Sequence, residues 1–181
     1  MPATPASPGM TRAVEQAGPR MLDRPAFEQQ LVQAWERAVR ETGPLSLLRI
    51  EIDHFQEYVR SAGLARSTES LERIAAALAR AVFRPTDSVA RLGETAYAIL
   101  LPAVHANGAR VVASRASGLV NALALPYPAG EGGIVTVSIG VASCAAGECG
   151  NVQELEAHCA EALTQAQRMG RDHIVSQDWM A

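Results

Sequence analysis

The sequence contains no lysine: its 16 basic residues are all arginine, set against 19 acidic ones. A chain without a lysine amine cannot form a side-chain Schiff base or hold a triphosphate with an ammonium group. The small net charge of −3 argues against a general nucleic-acid binder, which presents a basic surface. Cysteine is scarce too. Cys144, Cys149 and Cys159 are an odd set without zinc-site spacing. Cys144 and Cys149 bracket a loop of small residues and could pair under oxidation, but reduced thiols are the expectation inside a cell. No apolar run approaches the roughly 20 residues of a membrane span, and the N-terminal residues carry no basic-plus-apolar leader. A cytoplasmic protein is therefore expected.

Of the 181 residues, 48% are hydrophobic and 19% charged, a balance that folds and suits one domain of about 150 residues plus a tail. Residues 1–20 mix Pro, Ala, Ser and Gly without sustained periodicity and read as a flexible tail, leaving 21–181 as the domain. From Arg24 to about Arg40, Phe27, Leu31, Ala34, Trp35 and Ala38 recur at helical spacing, and Gly43-Pro44 stops the helix. Leu45–Asp53 reads as a mostly buried strand. A second helix is expected over about Ser67–Val82, followed by a turn at Arg84-Pro85-Thr86-Asp87. Ser88–Leu92 and Ala96–Leu101 form a hairpin around Gly93-Glu94. Then come a helix over Gly108 to about Ala122, a loop over Pro126–Gly133 and a strand over Ile134–Ala142. A helix over Val152–Met169 and a short strand over Asp172–Val175 close the domain. The order α-β-α-β-β-α-β-α-β implies an α/β or α+β sandwich around a central sheet.

Four segments, in order, carry a resemblance to the GGDEF family of diguanylate cyclases, covering roughly Met21 to Val175. They are Glu51-Ile-Asp-His-Phe55-Gln56, the hairpin Ala90-Arg91-Leu92-Gly93-Glu94-Thr95-Ala96-Tyr97-Ala98, the strand Thr136-Val-Ser-Ile-Gly-Val-Ala142, and Ala162-Leu163-Thr164-Gln165-Ala166-Gln167-Arg168-Met169-Gly170-Arg171-Asp172. The resemblance implies a mostly antiparallel five-stranded sheet flanked by helices. It also implies a site where two GTP molecules, one on each of two facing domains, condense to cyclic di-GMP with divalent metal on the phosphates.

Position by position, that chemistry is undercut. The metal-ligand positions hold Glu51 and Thr95, so one of two hard carboxylates is a neutral hydroxyl. Ala96 offers no acid–base group. Glu94 replaces the second glycine, adding bulk and negative charge where phosphates would approach. Val59 and Thr68 stand for the guanine-reading Asn and Asp, and Gln56 and Gln167 for the phosphate-gripping lysines. Gly93 and Arg171 still fit the pattern, while Tyr97 stands at the hairpin's phenylalanine and is counted among the degenerate positions. No cyclase activity and no bound metal or other cofactor are expected.

The family also carries an inhibitory product site, an R-x-x-D whose Asp lies six residues before the first glycine of the hairpin. Arg84 and Asp87 hold that register to Gly93, and Arg115 falls where the family adds a second arginine. The pattern alone is cheap, with roughly 0.4 chance matches expected, and Arg20–Asp23 is a second match. An arginine fork can bind guanine O6 and N7, and a carboxylate can accept from the N1–H and N2–H₂ of the same base. The alternative is a surface ion pair worth about 0–1 kcal/mol. The resemblance thus points to a degenerate, inactive domain that receives cyclic di-GMP through Arg84, Asp87 and Arg115. A ligand that stacks as an intercalated dimer could bridge two copies, and a downstream protein partner is expected, with neither nucleic acid nor membrane. The competing readings are a protein-interaction module that binds no nucleotide, and a weak GTP-binding or residual cyclase domain held up by Glu51, Gly93 and Arg171.

Elsewhere, Asp53 is expected to share a face with Glu51 in a structural or residual polar role. The four histidines are scattered without ligand spacing. His158-Cys159 is an improbable nucleophile–base pair, and Trp35 anchors the first helix. Trp179 has no assigned role.

Overall fold

The computed structural model describes residues 21–145 and 148–178. The tail expected over 1–20 and Trp179 lie outside the described residues.

The first helix, α1 (Arg24–Glu41), starts where Asp23 accepts the Ala26 amide at 2.9 Å and Pro25 fits the first turn. The Asp23 of the second R-x-x-D match is thus a helix cap. At the far end Thr42 turns left-handed and Gly43 donates to the Ala38 carbonyl. Strand β1 (Pro44–Ile52) follows, and its alternate residues enter two separate cores: Leu48, Ile50 and Ile52 on one face, Leu45 and Leu47 on the other. Burial on both faces explains why the segment reads as a nearly unbroken apolar run.

Helix α2 (Phe55–Ala62) was not legible in the sequence. It is eight residues long and buries only Phe55 and Tyr58, too short a pattern to show a period. Gly63, at φ 82°, separates it from α3 (Leu64–Ala79). Strands β2 (Ser88–Arg91) and β3 (Ala96–Pro102) make the hairpin, and α4 (Ala106–Asn121) lies between it and β4 (Val137–Ala145). The fourth strand begins three residues later than expected, because Ile134 makes only an isolated bridge to Pro126. Helix α5 (Val152–Arg168) leads to β5 (Ile174–Asp178), whose start is delayed by left-handed backbone at Arg171 (φ 67°) and Asp172 (φ 48°).

The sheet order is β2-β3-β1-β4-β5, antiparallel throughout except for the parallel β4–β5 pair. Helices α2, α3 and α4 cover one face, and α1 and α5 the other, with Trp35 packed against the second core. Leu22 runs beside β2, its N–H on the Val89 carbonyl and its own carbonyl accepting from Arg91, so the outer strand is partly covered. The expected mostly antiparallel five-stranded sheet between helices is the observed one. One expectation is corrected: Cys144 and Cys149, Cα atoms 6.1 Å apart, are joined as a disulfide, since the Glu148 amide bonds back to the Ala145 carbonyl at 3.1 Å and returns the chain beside the end of β4.

Candidate functional site

Two regions collect the residues singled out by the sequence. The first is an open cleft of about 360 Å³ where β1 ends beside the hairpin, lined among others by Glu51, Asp53, Glu94, Thr95, Gln167 and Arg171. Asp53 is fully engaged. Its buried carboxylate accepts from Thr136 Oγ1 at 2.8 Å, Ser138 Oγ at 2.7 Å and the Asp172 amide at 3.1 Å. Three donors on one carboxylate tie the end of β1 to β4 and to the entry of β5, a structural role. The same motif explains its glycine. A Cβ on Gly140 would stand 2.3 Å from Leu163 N and 2.4 Å from Cys159 O, so only glycine lets α5 lie this close to β4.

Glu51 is held differently: the Thr95 hydroxyl donates to its Oε1 across the β1–β3 register, where Glu51 faces Ala96. The hairpin itself is braced by Arg91, which donates to the carbonyls of Gly93 (3.2 Å) and Glu94 (3.1 Å). Gly93 donates in turn to the Ala96 carbonyl. Glu94 is exposed and lines the cleft with Glu57. Val59 is packed against the core, and the Thr68 hydroxyl donates to Leu64 O in its own helix. Tyr97 is fully buried. Its hydroxyl has no hydrogen-bond partner, and burial pushes its pKa upward.

The second region is the 84–87 turn, closed by the Asp87 amide on the Arg84 carbonyl at 3.0 Å. The Arg84 side chain is half exposed. Its Nη1 donates to Pro102 O at 3.3 Å and lies 4.0 Å from Asp87 Oδ1. The Asp87 side chain is only 4% exposed, and its Oδ1 has no hydrogen-bond donor. Burial raises the Asp87 pKa, an effect the nearby Arg84 guanidinium opposes without cancelling. The sequence placed a guanidinium and a carboxylate in one turn; here the carboxylate is buried and the guanidinium stands 4.0 Å from it, bonded to Pro102 O. Arg115, from α4, reaches the segment just before the turn: its Nη1 donates to Ala81 O at 2.9 Å, and its guanidinium lies 4.4 Å above the Phe83 ring. Phe83 itself escaped the sequence reading, because a lone aromatic between a helix and a turn reads as core.

Cys159 is fully buried, donates to the Leu47 and Gly140 carbonyls, and has its pKa pushed up to about 12, which removes it as a nucleophile. Among the described residues, no helix is long and apolar enough to cross a membrane.

The five-stranded mixed sheet in this order, flanked by helices, matches the fold of GGDEF-domain structures. The family model "Diguanylate cyclase, GGDEF domain" matches residues 20–173, and the chain belongs to that family. It is 30% identical over 152 residues to the diguanylate cyclase DgcP of Pseudomonas aeruginosa, covering 84% of this chain but only 22% of that protein's length. Among solved structures, the GGDEF domain of DgcB from Caulobacter crescentus, in complex with c-di-GMP, superposes with a TM-score of 0.77 at 22% identity, over 91% of this chain and 95% of that one. The GGDEF domain of YfiN from Pseudomonas aeruginosa gives 0.71 at 27% identity, over 86% and 96%.

Proposed function

We propose that this chain is a catalytically inactive GGDEF domain that binds cyclic di-GMP at the 84–87 turn. The inactivity rests on the cleft. Of the two positions the family gives to metal, one is a threonine, and its hydroxyl already occupies a Glu51 oxygen. Asp53, a further carboxylate of the cleft, has both oxygens engaged by protein donors. A hard divalent cation needs anionic oxygens that are free to turn toward it, so these residues do not fit the family's metal. Glu51, Glu57 and Glu94 line the cleft with Arg171, a surplus of negative charge that repels a triphosphate.

The observation that carries the receptor reading is the arrangement at the turn: a guanidinium 4.0 Å from a buried carboxylate oxygen that lacks a donor, with a second arginine alongside. A guanine supplies what is missing. As Arg84 swings off Pro102 O it can present its fork to O6 and N7, and the uncovered Asp87 carboxylate can accept from N1–H and N2–H₂. Arg115 adds positive charge for a phosphate. The Pro85 turn presets the backbone, so little ordering remains to oppose binding.

Calorimetric titration with cyclic di-GMP is the test. The unmodified chain should bind, and Arg84→Ala should weaken binding at least ten-fold. Incubation with GTP and Mg²⁺ or Mn²⁺ should yield no cyclic di-GMP; measurable turnover would overturn the inactivity. A second reading, a docking module without nucleotide, draws on the same geometry, since Asp87 is covered and Arg115 is engaged by a carbonyl. Absence of binding heat from the unmodified chain would favour it.

A further inference from the structure

We infer that Phe83 is a stacking platform for a purine of the ligand seated at the 84–87 turn, an inference that rests on the receptor reading above. The chain has three phenylalanines. Phe27 and Phe55 are buried at 1% and 6% exposure, whereas Phe83 stands 74% exposed. A ring in water forgoes the burial that drives aromatic residues into cores, so its position asks for a partner outside the fold. One side of the ring is already taken by the Arg115 guanidinium at 4.4 Å. That guanidinium is steered by its bond to Ala81 O, and among the described residues no carboxylate lies within ion-pair distance of it. An exposed ring backed by an uncompensated positive charge matches a ligand that is both flat and anionic, which is the chemistry of a nucleotide.

The chain connectivity sets this platform next to the fork. Phe83 immediately precedes Arg84, so one short stretch of backbone presents a stacking face and an edge-reading guanidinium. Asp87 then contributes the donor-free oxygen at the end of the same turn. The ring holds the base by its face, Arg84 and Asp87 read its edge, and Arg115 stabilises both the ring and the ligand's charge. Phe83 is a positioning residue in this arrangement, because stacking is tolerant of base identity while the edge contacts are not.

The test is a titration of the full chain with cyclic di-GMP in four forms: unmodified, Phe83→Ala, Phe83→Leu and Phe83→Trp. Loss of a stacking partner should weaken binding about 5- to 150-fold in the Ala and Leu forms. The Trp form should stay within a few-fold of the unmodified chain, and its added fluorescence should be quenched on binding. Thermal unfolding of the Ala form should match the unmodified chain, which separates lost stacking from lost structure. Binding by the unmodified chain that depends on Arg84 but is unchanged in Phe83→Ala would overturn this inference alone. Equal weakening in the Ala and Trp forms would also overturn it. No binding by the unmodified chain would overturn this inference and the receptor reading together, and would leave Phe83 to a protein partner.

Discussion

Removing the Asp53 carboxylate should damage the fold much more than softening it. In Asp53→Ala the hydroxyls of Thr136 and Ser138, 3% and 0% exposed, lose their acceptor with no water to replace it. The Asp172 amide is only partly buried and can turn to solvent. Two orphaned buried hydroxyls at about 1–3 kcal/mol each give a loss of about 4 kcal/mol. For a domain of this size that lowers the unfolding midpoint by about 8–16 °C. Asp53→Asn behaves differently because the two oxygens have different partners. Its remaining oxygen can take the Oδ2 place, keeping Thr136 and Asp172, while its amide donates to a rotated Ser138 hydroxyl. The loss should then be about 1 kcal/mol. Urea unfolding followed by circular dichroism measures both. A loss below about 1 kcal/mol in Asp53→Ala, or equal losses in the two variants, would refute the assignment of Asp53 as a structural tie.

Gly140→Ala should be at least as severe as an overpacked core, about 3 kcal/mol or a midpoint lower by about 6–12 °C, because the new methyl meets the backbone of α5 rather than a movable side chain; a near-neutral variant in a thermal melt would mean that α5 lies farther from β4. Tyr97→Phe should raise stability by about 1 kcal/mol, since it removes a buried hydroxyl without a partner, and a destabilised variant in urea unfolding would reveal one. Asp87 carries a pH signature. With its folded pKa above the usual 3.8, the folded state holds the proton longer than the unfolded chain, so stability falls as pH rises through that window. Asp87→Asn should therefore gain on the unmodified protein between acid and neutral pH while losing cyclic di-GMP binding; an advantage that shrinks with rising pH would contradict the burial.

Legibility in the sequence followed burial. Strand β1 and helices α1 and α5 were readable because their apolar residues repeat over many positions, and the hairpin because Gly93 and Pro102 punctuate it. Helix α2 was not, with two buried residues in just over two turns. Register to Gly93 located Arg84 and Asp87, but not that the carboxylate is buried while the guanidinium bonds to Pro102 O, since a side-chain rotamer leaves no trace in spacing. Asp53 showed its face of the strand and not its three donors, which arrive from residues 83, 85 and 119 positions away in the chain. Phe83 was invisible as a site residue for a related reason: hydrophobicity predicts burial, and its exposure is a tertiary fact.

The guanidinium of Arg24 donates twice to the Leu92 carbonyl, at 3.1 and 2.8 Å, while Leu22 is laced to the edge of β2. The opening of α1 and the base of the hairpin are therefore one mechanical unit. A displacement of that helix carries the loop at Gly93 with it.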